Sequence, residues 1–269
     1  MKDAFFAAKL MTPNVIKILL LSNVSKDERN DFSLVIDGKT IESLKIEKAY
    51  GSSSGWTYEV KTNNEVALGH QYDVIIEHFG SAPLDVTAYT EFPYFDKEFA
   101  YYGTDLGVTY TKESTSLALW APLASRVVLK YAKPGETWSY LPMERTAQGV
   151  YRAKLLGDRE LTRYRYLVMN NGTEKETTDP YAKASTQNGE DSVVLDLSKT
   201  VVDFHQAALP PFEKYTDAII YETSVRDLTS DMTTDIVHKA RFLGMVEPGT
   251  KTAKGSSAGF DYIKSLGIT

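Results

Sequence analysis

Short apolar runs separated by turn residues fill the first two thirds of the chain. Residues 15–21, 32–36, 41–46, 56–60 and 72–78 are each of strand length. Pro13-Asn14 and Asp37-Gly38 punctuate them, and the second pair predicts a tight hairpin because both residues tolerate positive φ. Strands at this spacing, without helical periodicity, predict a β-sandwich. Residues 91–103 then crowd Phe92, Tyr94, Phe95, Phe99, Tyr101 and Tyr102 around Pro93. A free linker would be polar or rich in glycine and serine, so this stretch reads as a packed boundary.

A second β block follows, with runs at 108–110, 116–120, 126–131, 138–141, 150–155, 164–169 and 193–195 and a hairpin signal at Asn171-Gly172. Its strands alternate apolar and polar, as a sandwich with one wet face should, and its span of about a hundred residues suits an immunoglobulin-like sandwich. Beyond Asp217 the pattern changes. Residues 218–224 read as a strand ending in Arg226-Asp227, and residues 235–244 as a short helix in a polar excursion. Ser256 or Ser257 then caps a helix carrying Phe260, Ile263 and Leu266, with Gly267 just past its end and Ile268-Thr269 opening another strand. Strand, helix, strand is how a parallel α/β domain begins, and parallel strands are not stable singly.

Composition narrows the partners. The 269 residues carry a net charge of −6 with acids and bases interspersed, which gives no electrostatic footprint for nucleic acid or an anionic membrane. There is no cysteine, so disulfides, thiolate metal sites and cysteine nucleophiles are excluded. No apolar run is long enough to cross a membrane as a helix, and the amino-terminal stretch lacks the signal-peptide pattern, so a cytoplasmic setting is expected.

Candidate chemistry is sparse. Two G-x-S-x-G matches, at residues 51–55 and 255–259, lack the strand-before, helix-after flanks of a nucleophile elbow and read as loops. His70, His78, His205 and His238 show no ligand spacing, so no metal is expected, nor any cofactor. Glu222 and Asp227 could serve as a glycosidase carboxylate pair, but Arg226 beside them favours a buried ion pair. Aromatic rings bind the flat faces of sugars, and two i, i+2 pairs, Trp56 with Tyr58 and Trp138 with Tyr140, each place two rings on one strand face. The competing reading of each pair is half of a sandwich core. Trp120 follows an apolar run and reads as packed inside.

Four stretches in order carry a resemblance. Leu119-Trp120-Ala121-Pro122 with Val127-Val128-Leu129, then Asp179-Pro180-Tyr181-Ala182-Lys183-Ala184 and Ser192-Val193-Val194-Leu195-Asp196-Leu197, resemble the CBM48-type sandwich that precedes the barrel of debranching and branching enzymes. Residues 218–227 resemble the first barrel strand of the α-amylase superfamily, glycoside hydrolase family 13, and residues 254–269 the stretch reaching the second strand. Their order most resembles type I pullulanases.

The resemblance implies a mainly β chain with an N-terminal β-sandwich domain (1–98) and a CBM48-like, immunoglobulin-like sandwich (99–203). The first βα unit of a (β/α)8 barrel, incomplete here, would occupy residues 204–269. It implies hydrolysis of α-1,6 linkages in pullulan, glycogen or branched dextrins, with the catalytic carboxylates in the remaining C-terminal part of the enzyme. No residue of this chain would then be catalytic, and its partners would be that remainder and an α-glucan. Where the family often has histidine, this chain has Ser224. A non-catalytic glucan-binding module, or the front end of an isoamylase or branching enzyme, are the alternatives.

Overall fold

The computed structural model describes residues 6–21, 32–53, 55–77, 79–202 and 213–269. It divides into two compact units, Met1–Val201 and Val202–Thr269.

The first unit opens with eight strands: β1 (Phe6–Thr12), β2 (Val15–Leu20), β3 (Phe32–Ile36), β4 (Lys39–Ser43), β5 (Lys45–Ser52), β6 (Gly55–Lys61), β7 (Tyr72–Ile76) and β8 (Gly80–Asp85). They hydrogen-bond in the order β4-β3-β7-β8-β1-β2-β6-β5, antiparallel except for a short parallel β1·β8 pairing. β3 and β6 are five strand steps apart in that order, about 24 Å in a flat sheet. Yet the rings of Phe32 on β3 and Tyr58 on β6 lie 5.3 Å apart. The sheet therefore folds over on itself and closes one core, with Leu10, Ile16, Ile18, Phe32, Tyr58 and Val74 all fully buried.

Several local readings change here. The run at 41–46 is two strands, broken at buried Leu44, whose N–H donates to the Phe32 carbonyl at 2.7 Å. β1 and β8 carry little strand signal because alanines dilute one and Pro83 interrupts the other. β1 pairs with β8 only from Leu84 onward, so Pro83, which stands opposite Asp73 of β7, lies outside the β1 ladder. Asp37 (φ 48°) and Gly38 (φ 79°) make the expected hairpin turn with both central residues at positive φ. The aromatic boundary forms a 3₁₀ turn, Thr87–Glu91, and a helix, α1 (Pro93–Phe99). Its proline sits in the first turn, where no donor is needed, and Phe95 and Phe99 face the core one turn apart.

The second sandwich comprises β9 (Gly107–Tyr110), β10 (Ser114–Trp120), β11 (Arg126–Ala132), β12 (Ser139–Pro142), β13 (Glu144–Arg145), β14 (Val150–Leu156), β15 (Arg163–Asn170), β16 (Thr173–Thr177) and β17 (Ser192–Val193). One sheet runs β13-β14-β10-β9; the other runs β12-β11-β15-β16, with β17 also on β15. Leu117, Val127, Leu129, Tyr151, Tyr164 and Tyr166 fill the space between. β16 is exposed along its whole length, which explains why no apolar pattern announced it.

In the second unit the expected strand at 218–224 is not formed. Residues 218–223 have no regular structure, and Ser224 instead caps a short helix, α2 (Val225–Thr229), by accepting from the Asp227 N–H at 3.3 Å. The physical reason is the one that makes parallel strands poor solitary elements: no neighbouring strand is present among the described residues to take their backbone groups. Two hydrogen bonds nevertheless join this stretch to the end of the chain. Thr269 N–H donates to the Ile219 carbonyl at 3.2 Å and Ile219 N–H to Thr269 Oγ1 at 2.9 Å.

The helix expected at 235–244 shrinks to a 3₁₀ turn, Phe242–Met245. A third helix, α3 (Gly259–Ser265), starts from Ala258 rather than a serine cap, and Gly267 (φ 66°) follows its end as expected. Among the described residues no helix is long and apolar enough to cross a membrane.

Candidate functional site

Alternation along β11 and β15 creates the site. Val127, Leu129, Tyr164 and Tyr166 point inward and are buried, so Lys130, Arg163 and Arg165 point outward. Lys130 stands opposite Arg165 on one side and opposite Tyr140 on the other. Trp138, which precedes β12 rather than lying in it, is half-buried, and the Lys130 ammonium and the Arg163 guanidinium each lie 4.7 Å from its ring centre. Tyr140 is 58% exposed.

Two carboxylates lock the cations. Lys130 Nζ donates to both oxygens of Glu176, at 2.9 and 3.2 Å, and Arg165 Nη1 reaches the same carboxylate at 2.9 Å. Asp191, 5% exposed at its side chain, accepts from Arg165 Nε at 2.5 Å and pairs with Arg163 at 3.5 Å. The hydrogen bond from Lys130, then that cation's charge and the Arg165 guanidinium, outweigh partial burial and hold the Glu176 carboxyl below its ordinary value. The face thus offers an open phenol ring, an indole steadied by cation–π contacts, and donors and acceptors in fixed positions beside them.

The other aromatic pair is not presented. Tyr58 is fully buried in the first core and Trp56 stacks against it, ring centres 6.2 Å apart, while lying across Gly51 on the neighbouring strand. The reading of Tyr58 as a sugar platform is therefore corrected: both rings face inward, because the i, i+2 spacing put them on the buried side of β6. Trp120, expected inside, is half-buried: it packs against the core of the first sandwich and donates its indole N–H to the Phe99 carbonyl at 2.8 Å.

Glu222, Arg226 and Asp227 are exposed and form no ion pair among the described residues, which overturns the buried salt bridge. His70 pairs with Asp37 at 2.8 Å and His238 with Glu247; His78 and His205 lie outside the described residues. Residues 51–53 and 55 sit at the β5–β6 hairpin and residues 255–259 in the approach to α3; Ser54 lies outside the described residues.

Residue-level reasoning passed over Lys130, Arg163, Arg165, Glu176 and Asp191. The Arg163-Tyr164-Arg165-Tyr166 alternation was the available signal for two of them. It also passed over a buried Asp179, which accepts from Tyr164 Oη at 2.8 Å, Tyr166 Oη at 3.3 Å and Tyr181 N–H at 2.8 Å. Burial first, and the Asp179 charge second, push both phenols above their ordinary value.

Residues 105–182 match the family model for carbohydrate-binding module 48 (isoamylase N-terminal domain). The pullulanase of Bacillus subtilis (strain 168) is 32% identical over 266 residues, 98% of this chain and 36% of that protein. This chain corresponds to the N-terminal portion of a pullulanase. Among solved structures, pullulanase from Anoxybacillus sp. LM18-11 complexed with maltotriose superposes with a TM-score of 0.86 at 35% identity, over 98% of this chain and 38% of that one. Type I pullulanase from B. subtilis str. 168 complexed with maltose gives 0.82 at 31% identity, over 98% and 36%. The chain thus spans little more than a third of these pullulanases. Lys130, Trp138, Tyr140, Arg163, Arg165 and Glu176 all fall within the module-48 stretch, whereas Trp56 and Tyr58 fall outside it.

Proposed function

We propose that this chain is the front part of a pullulanase-type glycoside hydrolase that cleaves α-1,6 linkages in pullulan, glycogen or branched dextrins. Its second sandwich, near residues 99–203, would hold α-glucan on the outer face built around Trp138 and Tyr140. The observation that carries the reading is the coincidence of that aromatic and charged face with the module-48 match. The relatives solved with maltose and maltotriose support the ligand class.

Residues 204–269 would be the opening βα unit of a (β/α)8 barrel, a reading supported by the paired hydrogen bonds between Ile219 and Thr269. The second unit exposes the large apolar side chains of Ile220 (88%), Phe242 (81%) and Val237 (79%). The remaining catalytic part of the enzyme is the partner that would cover them, and by itself this chain would not hydrolyse pullulan. A cysteine-free sequence fits a cytoplasmic, glycogen-recycling setting.

Retention on immobilised amylose tests the glucan reading. The 269-residue chain is expected to bind and Trp138→Ala to lose most of that binding. Retention equal to wild type in Trp138→Ala combined with Tyr140→Ala would show that the face is scaffolding.

A further inference from the structure

The β15–β16 hairpin has a second face. By its register, Val168 stands opposite Lys175 and Asn170 opposite Thr173, on the side away from Glu176. There the hairpin and the junction turn Thr87–Glu91 line two adjoining open clefts of about 630 and about 640 Å³, which share Val168, Asn170 and Thr177 as a common wall. Each lies within the size range of small-molecule sites, roughly 300–1,000 Å³.

The cleft is amphipathic. Phe95, Trp120, Pro122 and Leu123 supply an apolar floor at one end, and Thr87, Thr173 and Lys175 a polar rim at the other. The side chains of Asn170, Thr173, Lys175 and the Thr178 hydroxyl have no hydrogen-bond partner among the described residues. Among the described residues no carboxylate lines either cleft, and Lys175 is the only charged residue in their walls.

These features select a ligand class. A purely apolar occupant would cover the Asn170 amide and the Lys175 ammonium without pairing them, which is costly. An anion would meet one ammonium and no guanidinium to grip it bidentately. A neutral chain with flat apolar faces and many hydroxyls satisfies both the floor and the rim. We propose that this cleft is a second α-glucan subsite, holding a short linear segment between the two sandwiches, on the opposite face of the β15–β16 hairpin from Trp138. The proposal rests on the glucan reading above and adds a place where both sandwiches touch one chain.

The absence of cysteine allows a direct test by single-site labelling. Alkylation rates of Asn170→Cys and of Lys175→Cys are measured on the 269-residue chain with increasing maltotetraose, with cellotetraose as control. Lys175 is exposed on a strand edge, so its variant folds even where Asn170→Cys fails to. Saturable slowing by maltotetraose alone, about fivefold or more, is expected at either position. In a Trp138→Ala background, Asn170→Ala is expected to weaken the residual affinity by about fivefold, the factor associated with one hydrogen bond. Unchanged alkylation rates in variants that amylose still retains would overturn the cleft subsite and leave the outer-face reading standing. Unchanged rates with no amylose retention at all would remove both.

Discussion

Asn171 donates from its side-chain amide to Asp85 Oδ1 at 2.9 Å across 86 positions of sequence. The same amide's oxygen accepts from the Val86 N–H at 3.2 Å, so the tip of the β15–β16 hairpin is stitched to the end of β8, one of several links between the sandwiches alongside the Trp120–Phe99 bond. Burial works against the charged form of Asp85, but hydrogen bonds from Thr87, the nearby Lys9 and the Asn171 amide outweigh it and leave the carboxyl below its ordinary value.

Asn171→Gly keeps the turn, since the position has φ 47° and glycine adopts it freely, but removes both bonds. The expected result is a loss of about 1–2 kcal/mol in urea unfolding, with the two sandwiches losing their common transition. A single unshifted transition would show that the stitch contributes nothing.

The charged face should be acid-sensitive. Glu176 has a folded value below its ordinary 4.5, so its contribution is complete above that pH and is lost as the pH falls through the lower folded value. The urea midpoint should therefore drop as the pH falls below 4.5, and Glu176→Gln should flatten that part of the profile. Because Glu176 is about a third exposed, the drop will be modest.

Two glycines with positive φ separate strain from space. A side chain at Gly149 (φ 72°) would place its Cβ 2.4 Å from the Pro122 Cα, whereas at Gly135 (φ 81°) it would meet nothing. Gly135→Ala should cost about 1 kcal/mol from backbone strain alone and Gly149→Ala about 3 kcal/mol or more, read by thermal unfolding.

Core and face aromatics should behave oppositely. Tyr58→Ala is expected to cost about 3–5 kcal/mol with glucan retention per folded molecule unchanged. Tyr140→Ala is expected to change stability by less than about 0.5 kcal/mol and to weaken amylose retention. Equal stability costs for the two would contradict their placement.

Local pattern carried a great deal of this molecule. Alternation and turn residues were enough to locate most strands, the Asp37-Gly38 and Asn171-Gly172 hairpins, the sandwich class of the second domain and the glycine after α3, because each depends on the side chains and backbone preferences of a few adjacent residues. Four ordered motifs were enough to relate the chain to pullulanases.

What pairs with what was decided only in three dimensions. Trp56-Tyr58 and Trp138-Tyr140 share a spacing, yet Tyr58 lies in a core and Tyr140 in solvent, since spacing tells which residues share a face and not which way that face turns. Likewise residues 218–224 have the composition of a strand but no regular structure, because a strand is stabilised by hydrogen-bonded neighbours, and none is present beside them among the described residues. The Lys130, Arg163, Arg165, Glu176 and Asp191 network joins three strands and a loop, and its members acquire a common role only when the sheet sets them side by side.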